Sequence, residues 1–143
     1  MSVNSYVLDG TGSGTLARVT NIGQLVTAPY AYDEVSSQTM GTDNTAVNFY
    51  TPKAGKQFVI TGIYLFANRN VGVNDATVVI YEATSASTAT VSTTLFTTEM
   101  VKQTRADLLG LNILVSEGVW INGKTDDDDV FGTITGYYIP TLS

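Results

Sequence analysis

The chain has 143 residues, the length of one ordinary domain, and 43% of them are hydrophobic, which is enough for a packed core and argues against disorder. It contains no Cys and no His, which excludes disulfides, thiolate or imidazole metal ligands, and catalysis that depends on a Cys or His side chain. Seven cationic side chains against thirteen anionic ones give a net charge of −6. The sequence therefore predicts no nucleic-acid partner, because that binding depends on clustered Lys and Arg.

The sequence carries no recognisable targeting or membrane-crossing segment. Its first residues lack the basic and apolar regions of a signal peptide. The longest apolar stretch, residues 58–67, is well short of the about 20 residues that a membrane-spanning helix needs. We therefore expect a soluble protein that is made in a cytoplasm and has no membrane partner. Separately, we expect no cofactor.

Residues 1–28 are predicted to form an N-terminal arm or hairpin. A glycine-rich turn at residues 10–14 precedes two short candidate strands, residues 15–20 and 24–28, which are joined by a tight turn. The glycine-rich turn lacks the Lys and the following helix of a phosphate-binding loop. We therefore interpret it as a hinge or turn rather than a nucleotide site.

Residues 29–143 are predicted to form the main domain. Its first part, residues 29–44, is a polar connection without clear periodicity. A loop of this length in a compact domain is either functional or conceals a weak edge strand, and both alternatives remain open. A flexible loop is predicted at residues 85–94. The strands of this half are predicted at residues 46–51, 57–67, 76–83 and 91–97.

The candidate strand at residues 57–67 is apolar on both of its faces. Strict alternation places Phe58, Ile60, Tyr64 and Phe66 on one face. The opposite face carries Val59, Ile63 and Leu65. A strand of this kind is buried twice, by a second sheet and by another element or another chain.

The C-terminal third contains one ambiguous segment and one predicted hairpin. Residues 99–109 suit either one or two helical turns or a strand. The dipeptide Asn122-Gly123 is a strong hairpin signal, and Pro140 is expected to end the last strand. The strands of this part are predicted at residues 111–115, 119–122 and 130–139.

About eight short strands at spacings near ten residues predict an all-β fold. The favoured architecture is an antiparallel β-sandwich of jelly-roll type, behind the N-terminal arm. A small immunoglobulin-like sandwich is the alternative, although its Cys and Trp pattern is missing.

The most conspicuous charged run is Asp126, Asp127, Asp128 and Asp129, at the expected tip of the last hairpin. Ca²⁺ takes roughly six to eight oxygen ligands, so four carboxylates in one loop are a candidate metal site. The alternating spacing, Gly and late Glu of an EF-hand are absent. The favoured interpretation is a solvated, self-repelling turn that protects a sheet edge. Without His, scattered carboxylates carry no catalytic signal, and we expect no enzymatic activity.

Tyrosine is abundant, with eight residues in the chain. A ring with a polar tip suits a subunit interface or the margin of a core, and stacking on sugars is a third alternative. We favour the interface for the tyrosines, including Tyr30 and Tyr32 next to the arm. Trp120 lies beside Ile121 in a predicted strand and is interpreted as a core residue.

The start of the chain resembles the opening of many tailed-bacteriophage virion proteins, which often begin DGTG…RVT..GQL before a small β-sandwich. The matching residues, 8–26, read LDGTGSGTLARVTNIGQLV. Residues 58–63, 76–83 and 136–139 are similar to strands of the same class, which includes jelly-roll capsid decoration (cement) proteins and related fibre or tail modules. The resemblance covers most of the chain and carries no catalytic motif.

The resemblance implies a structural role on the virion, with assembly in the host cytoplasm. The expected form is a homotrimer on the outer capsid surface, bound to the major capsid protein. The arm is expected to grip the capsid or a neighbouring protomer, and its deletion should abolish particle binding while leaving a folded domain. The alternative is a tail or fibre module that binds a host receptor or glycan. The candidate partner-binding residues are Leu16, Arg18, Leu25, Tyr30 and Tyr32.

Overall fold

The computed structural model describes residues 34–41, 44–68, 76–126 and 130–141. Within these ranges every regular element is a β-strand, which confirms the predicted all-β class. The strands are β1 (Glu34–Met40), β2 (Val47–Tyr50), β3 (Lys56–Ala67), β4 (Ala76–Ala83), β5 (Thr93–Met100), β6 (Arg105–Leu108), β7 (Ile113–Leu114), β8 (Trp120–Thr125) and β9 (Val130–Pro140).

The strands form two antiparallel sheets. The first sheet has the order β1-β9-β3-β6, with the short β7 also paired with β3, and the second has the order β2-β8-β4-β5. The first described strand pairs with the last, the second with the next to last, and β4 pairs with β5. This nested pairing is the strand arrangement of a jelly roll, so the predicted β-sandwich is confirmed.

The core lies between the two sheets and is made of alternating side chains from both. Large aliphatic residues dominate it, as expected for a strand face that is closed to water. The fully buried aliphatic side chains are Met40, Ile60, Ile63, Leu65, Val78, Ile80, Val115, Ile121, Val130 and Ile134.

A β-bulge in β3 reverses its alternation. The register against β9 shifts between Ile60 and Gly62, so one extra residue is inserted there. Ile60 and Ile63 are consequently both buried in the core, whereas Tyr64 is half-buried and Phe66 is exposed. The prediction that Tyr64 and Phe66 share a face with Ile60 is therefore wrong, and these two rings lie on the outside of the first sheet.

Two ambiguous segments contain edge strands. Residues 34–40, inside the long polar connection, form β1 at one edge of the first sheet, which confirms the edge-strand alternative for them. Residues 105–108 form β6 at the opposite edge, and residues 99–100 end β5. The helical alternative for residues 99–109 is therefore wrong.

The predicted hairpin at Asn122-Gly123 is also wrong. Both residues lie inside β8, and β8 and β9 belong to different sheets, so the connection after residue 125 crosses between the sheets. Asn122 is fully buried, and its amide donates to the carbonyl oxygens of Ser85 at 2.9 Å and Thr88 at 3.2 Å. A Cβ atom on Gly123 would lie 2.7 Å from a ring carbon of Phe49 in the core. Asn and Gly therefore occupy these two positions because of their buried surroundings, and not because the chain turns there.

Candidate functional site

The outer faces of the two sheets differ in how they are covered. On the second sheet, Tyr81 is completely buried, and its hydroxyl donates to the carbonyl oxygen of Thr88 in the loop after β4. Lys124 donates to the carbonyl oxygen of Ala89 in the same loop at 2.9 Å. This loop therefore covers part of the second sheet. Burial raises the pKa of the Tyr81 hydroxyl, and its hydrogen bond with Asn122 partly opposes that shift.

The first sheet instead exposes large apolar side chains. Within the described residues, four of the six exposed large hydrophobic side chains belong to its strands, and none belongs to a strand of the second sheet. An exposed apolar patch on a folded domain is typical of an interaction site. The four residues are Val35, Phe66, Leu114 and Phe131.

An aromatic face, defined by Tyr64, Phe66 and Phe131, lies on the two inner strands of this sheet, near the end of β3 and the start of β9. Phe66 in β3 and Phe131 in β9 are directly opposite each other in the register. Their rings are nearly parallel, with centroids 6.3 Å apart and planes inclined by 19°. About 40% of each side chain is exposed, at 39% and 42%. The rings form the floor of a shallow depression of about 390 Å³, which Arg105 and Asp107 border on the β6 side.

Gly62 helps to hold the Tyr64 ring on this face. A Cβ atom at position 62 would lie 3.1 Å from the Tyr64 ring and 2.7 Å from the hydroxyl oxygen of Thr135. A larger residue would therefore displace the Tyr64 ring or the Thr135 side chain. The bulge that directs Tyr64 outward and the glycine that leaves space beside it are adjacent in β3.

The rim of the aromatic face is polar and carries balanced charge. A guanidinium nitrogen of Arg105 lies 3.4 Å from a carboxylate oxygen of Asp107, and both side chains are exposed, so this ion pair contributes little to stability. On the other side, the hydroxyls of Ser37 and Thr133 are 2.8 Å apart and hydrogen-bonded. An apolar centre with a polar rim is the usual organisation of a protein interface.

The point where the chain enters the first sheet is anchored away from this face, because Glu34 lies opposite Gly136 whereas Phe66 lies opposite Phe131. The Lys53 ammonium lies 2.6 Å from a carboxylate oxygen of Glu34 and 3.8 Å from the centroid of the Tyr138 ring. Tyr138 donates to the carbonyl oxygen of Thr51 at 2.7 Å. Burial raises the pKa of the Tyr138 hydroxyl, and the negative charge of Glu34 raises it further. Residues 1–33 therefore join the domain at a position that several contacts hold in place.

The predicted partner-binding residues precede this anchor in the chain. Leu16, Arg18, Leu25, Tyr30 and Tyr32 lie outside the described residues, as does the predicted arm, residues 1–28. Their role stays a prediction.

The acidic run is described only at its first residue. A carboxylate oxygen of Asp126 accepts a hydrogen bond of 2.7 Å from the backbone N–H of Thr77, and Asp127, Asp128 and Asp129 lie outside the described residues. In the part of the chain that the structure describes, no three acidic side chains are grouped so that they could hold a metal ion. The Ca²⁺ alternative stays untested for the complete run.

The tyrosines divide between core and surface. Three tyrosines are buried in the domain, so the interface interpretation is wrong for them: Tyr50, Tyr81 and Tyr138. Two others, Tyr64 and Tyr137, are half-buried on the first sheet.

Trp120 is half-buried. The sequence interpretation did not single out Phe131, although period-two alternation from Val130 onward would have placed it outward.

Comparisons with known proteins found no match: no family profile, no curated protein and no solved structure corresponds to this chain. Across the described ranges, no helix has the length and apolar character needed to cross a bilayer. The site is therefore interpreted from its own geometry. That geometry offers an apolar, aromatic contact surface with a rim able to form hydrogen bonds.

Proposed function

We propose that this protein is a non-enzymatic structural protein of a bacteriophage virion, which binds the outer surface of the capsid and stabilises the head as a decoration protein. The observation that supports this most directly is the aromatic face, where Phe66 and Phe131 are paired in register and exposed on one sheet only. A domain with one partly covered sheet and one sheet that exposes aromatic side chains suits attachment to a surface.

The size of the whole outer surface of the first sheet, which contains the aromatic face, indicates that it works together with a second contact. Four strands spaced about 4.8 Å apart, over about seven residues at about 3.3 Å each, give this surface an area of about 440 Å². A standard protein interface buries about 800 Å² on each partner. We therefore assign the remaining contact to the arm, residues 1–28, whose resemblance to phage virion proteins suggested a role in attachment.

The proposed homotrimer would increase the strength of attachment without any additional type of contact. Three linked copies that bind three equivalent capsid sites gain an effective concentration for the second and third contacts. The expected partner is the major capsid protein, at the positions where its subunits meet. The proposed location is the capsid surface of the virion.

The test compares two double variants of the full chain in binding to capsids that lack this protein. Phe66→Gln with Phe131→Gln removes the apolar rings from the aromatic face. Val101→Gln with Leu109→Gln removes exposed apolar residues outside it, which are 52% and 68% exposed in the described structure. We expect binding weakened at least about tenfold in the first variant and changed less than about twofold in the second. Equal binding by both variants would contradict the role of the aromatic face.

Cryo-electron microscopy of the particle tests the location itself. Density that repeats over the capsid lattice and disappears in a deletion virion supports the decoration role. Density confined to the tail or fibre instead supports the second candidate, a module that binds a host receptor or glycan.

The second candidate has one specific observation in its favour. The depression combines the exposed rings of Phe66 and Phe131 with the charged groups of Arg105 and Asp107. Rings together with hydrogen-bonding groups can bind the apolar and hydroxyl faces of a sugar. A glycan array without binding, or with binding that survives the aromatic-face substitutions, would contradict this candidate.

A further inference from the structure

Two rows of residues cross the outer face of the first sheet and contain the aromatic face. The register of β1, β9, β3 and β6 places one residue of each strand in each row. The first row is Thr39, Phe131, Phe66 and Arg105, and the second row is Ser37, Thr133, Tyr64 and Asp107. These eight residues line two shallow depressions, of about 390 and 410 Å³, which meet at Phe131 and Thr133. The two rows therefore form one continuous surface.

The surface of the two rows has no net charge. Its two charged residues, Arg105 and Asp107, have opposite charges and lie 3.4 Å apart at the β6 edge. The whole chain carries a net charge of −6, so two copies repel each other in most orientations. A contact between copies consequently requires a surface on which the charges cancel. The two rows meet this requirement.

The two rows are also complementary to each other. In a two-fold contact between identical chains, each residue of a contacting pair meets the other residue on the second copy. A two-fold axis that runs across the strands, between the rows, lays the first row of one copy over the second row of the other. Arg105 then faces Asp107, and the large Phe131 faces the small Thr133. The strands of the two copies run along each other, which is one of the two usual ways in which sheets pack face to face.

We propose that a second copy of this chain covers the aromatic face in the free protein, through a two-fold contact between the two rows. The rings of Phe66 and Phe131 from both copies form the apolar centre of the contact. Two pairs of Arg105 and Asp107, one from each direction, close its β6 edge. Only the role of this contact, as a cover that the capsid replaces, rests on the proposed function.

The size of the contact makes it reversible. The outer surface of the first sheet has an area of about 440 Å² in each copy, so a complete contact buries about 880 Å² in total. Stable interfaces begin at about 1,200 Å², and smaller ones are typical of transient complexes. A weak contact of this kind covers the exposed rings in the free protein. It also releases them to a capsid, which offers a second contact through the arm.

Sedimentation equilibrium of the full chain, between about 5 and about 500 µM, measures the pairing. We expect the average mass at least to double over this range, whether the dilute protein is a single chain or the proposed homotrimer. Phe66→Gln with Phe131→Gln should keep the mass at its dilute value. Val101→Gln with Leu109→Gln, outside the two rows, should leave the increase unchanged. A constant mass for the unmodified chain, or an increase that survives the first pair of substitutions, would overturn the proposal.

Reversal of the two charges tests the two-fold arrangement itself. Arg105→Asp places negative charges opposite each other across the contact, and Asp107→Arg places positive charges there. We expect each variant alone to pair at least about tenfold more weakly than the unmodified chain, because like charges then face each other. An equimolar mixture should restore pairing to within about threefold, because the acidic edge of one variant faces the basic edge of the other. A mixture that pairs no better than its components would overturn the proposal.

These variants are suited to the test because both side chains are exposed, at 69% for Arg105 and 42% for Asp107. Their ion pair contributes little to stability, so folding should be unaffected. Restored pairing in the mixture would itself show that both variants are folded.

The capsid-binding test separates this inference from the proposed function. A chain that pairs with itself but does not bind capsids would contradict the proposed function and leave this inference standing. A chain that binds capsids through the aromatic face but keeps a constant mass would overturn this inference alone. A constant mass together with binding on a glycan array would also overturn it and assign the face to a sugar.

Discussion

The hydroxyl of Tyr50 lies 2.8 Å from the backbone carbonyl oxygen of Glu34, the first residue of β1. It also lies 2.7 Å from the carbonyl oxygen of Ile134 in β9. Tyr50 belongs to the second sheet, whereas Glu34 and Ile134 belong to the first. One buried side chain therefore connects the two sheets at the point where the N-terminal segment enters the domain.

Removal of the Tyr50 hydroxyl should loosen this connection. We expect Tyr50→Phe to lower the free energy of unfolding by about 1–3 kcal/mol, because the single hydroxyl proton is shared by two carbonyl oxygens and its removal leaves the buried one, that of Ile134, without this donor. Tyr137→Phe, on the half-buried outer face of β9, should change it by less than about 0.5 kcal/mol. Urea unfolding of the two variants makes the comparison. Equal losses would show that the hydroxyl of Tyr50 has no special role.

Gly136 is expected to be the position in β9 least tolerant of a side chain. A Cβ atom there would lie 2.2 Å from the backbone oxygen of Val59 and 2.5 Å from the Phe58 ring. Because the first contact is with backbone, relief requires β3 and β9 to separate. We expect Gly136→Ala to cost more than about 3 kcal/mol or to prevent folding. Gly41→Ala, with no atom within 4 Å of the new Cβ, should be neutral or stabilise slightly. Thermal unfolding distinguishes the two, and a normal melting temperature for Gly136→Ala would contradict the geometry.

Asn122 should control the loop after β4. Its amide nitrogen donates to Ser85 and Thr88, and its side-chain oxygen accepts from the amide of Asn48 at 3.0 Å. We expect Asn122→Ala to cost about 1–3 kcal/mol, because these buried partners lose their hydrogen bonds. Limited proteolysis should then cut residues 85–92 faster. The control is Asn112→Ala at an exposed position, and unchanged proteolysis of both variants would contradict this role.

The stability of the domain should fall at alkaline pH. The pKa values of Tyr81 and Tyr138 are raised above 10.0 in the folded protein, mainly by burial. Above about pH 10 the unfolded chain loses these protons more readily than the folded one, so the free energy of unfolding decreases as the pH rises toward the folded-state values. Below that pH the contribution is fully present. Melting temperatures measured between about pH 8 and 11 should decline at the upper end, and Tyr138→Phe should make the decline shallower. An identical decline in that variant would exclude Tyr138 as a cause.

The sequence predicts the position of single strands from the alternation of their side chains. Residues 76–83 were predicted as a strand with the bounds of β4, and residues 130–139 nearly match β9, because β-branched and aromatic residues at period two favour a half-buried strand. Alternation could not reveal the bulge next to Thr61, which depends on how β3 fits against β9. The candidate site was missed for that reason, since strict alternation predicts that Phe66 shares a face with Ile60 and that both faces of the strand are buried.

The sequence by itself determined the all-β class, the strand-rich domain and the absence of Cys and His chemistry, because these follow from composition and local periodicity. Only the tertiary structure decided which strands pair, that Asn122-Gly123 lies inside a strand, and that Phe66 meets Phe131 on an exposed face. Those features depend on contacts between residues far apart in the chain. A local pattern is compatible with several such pairings, and the packing of the two sheets selects one of them.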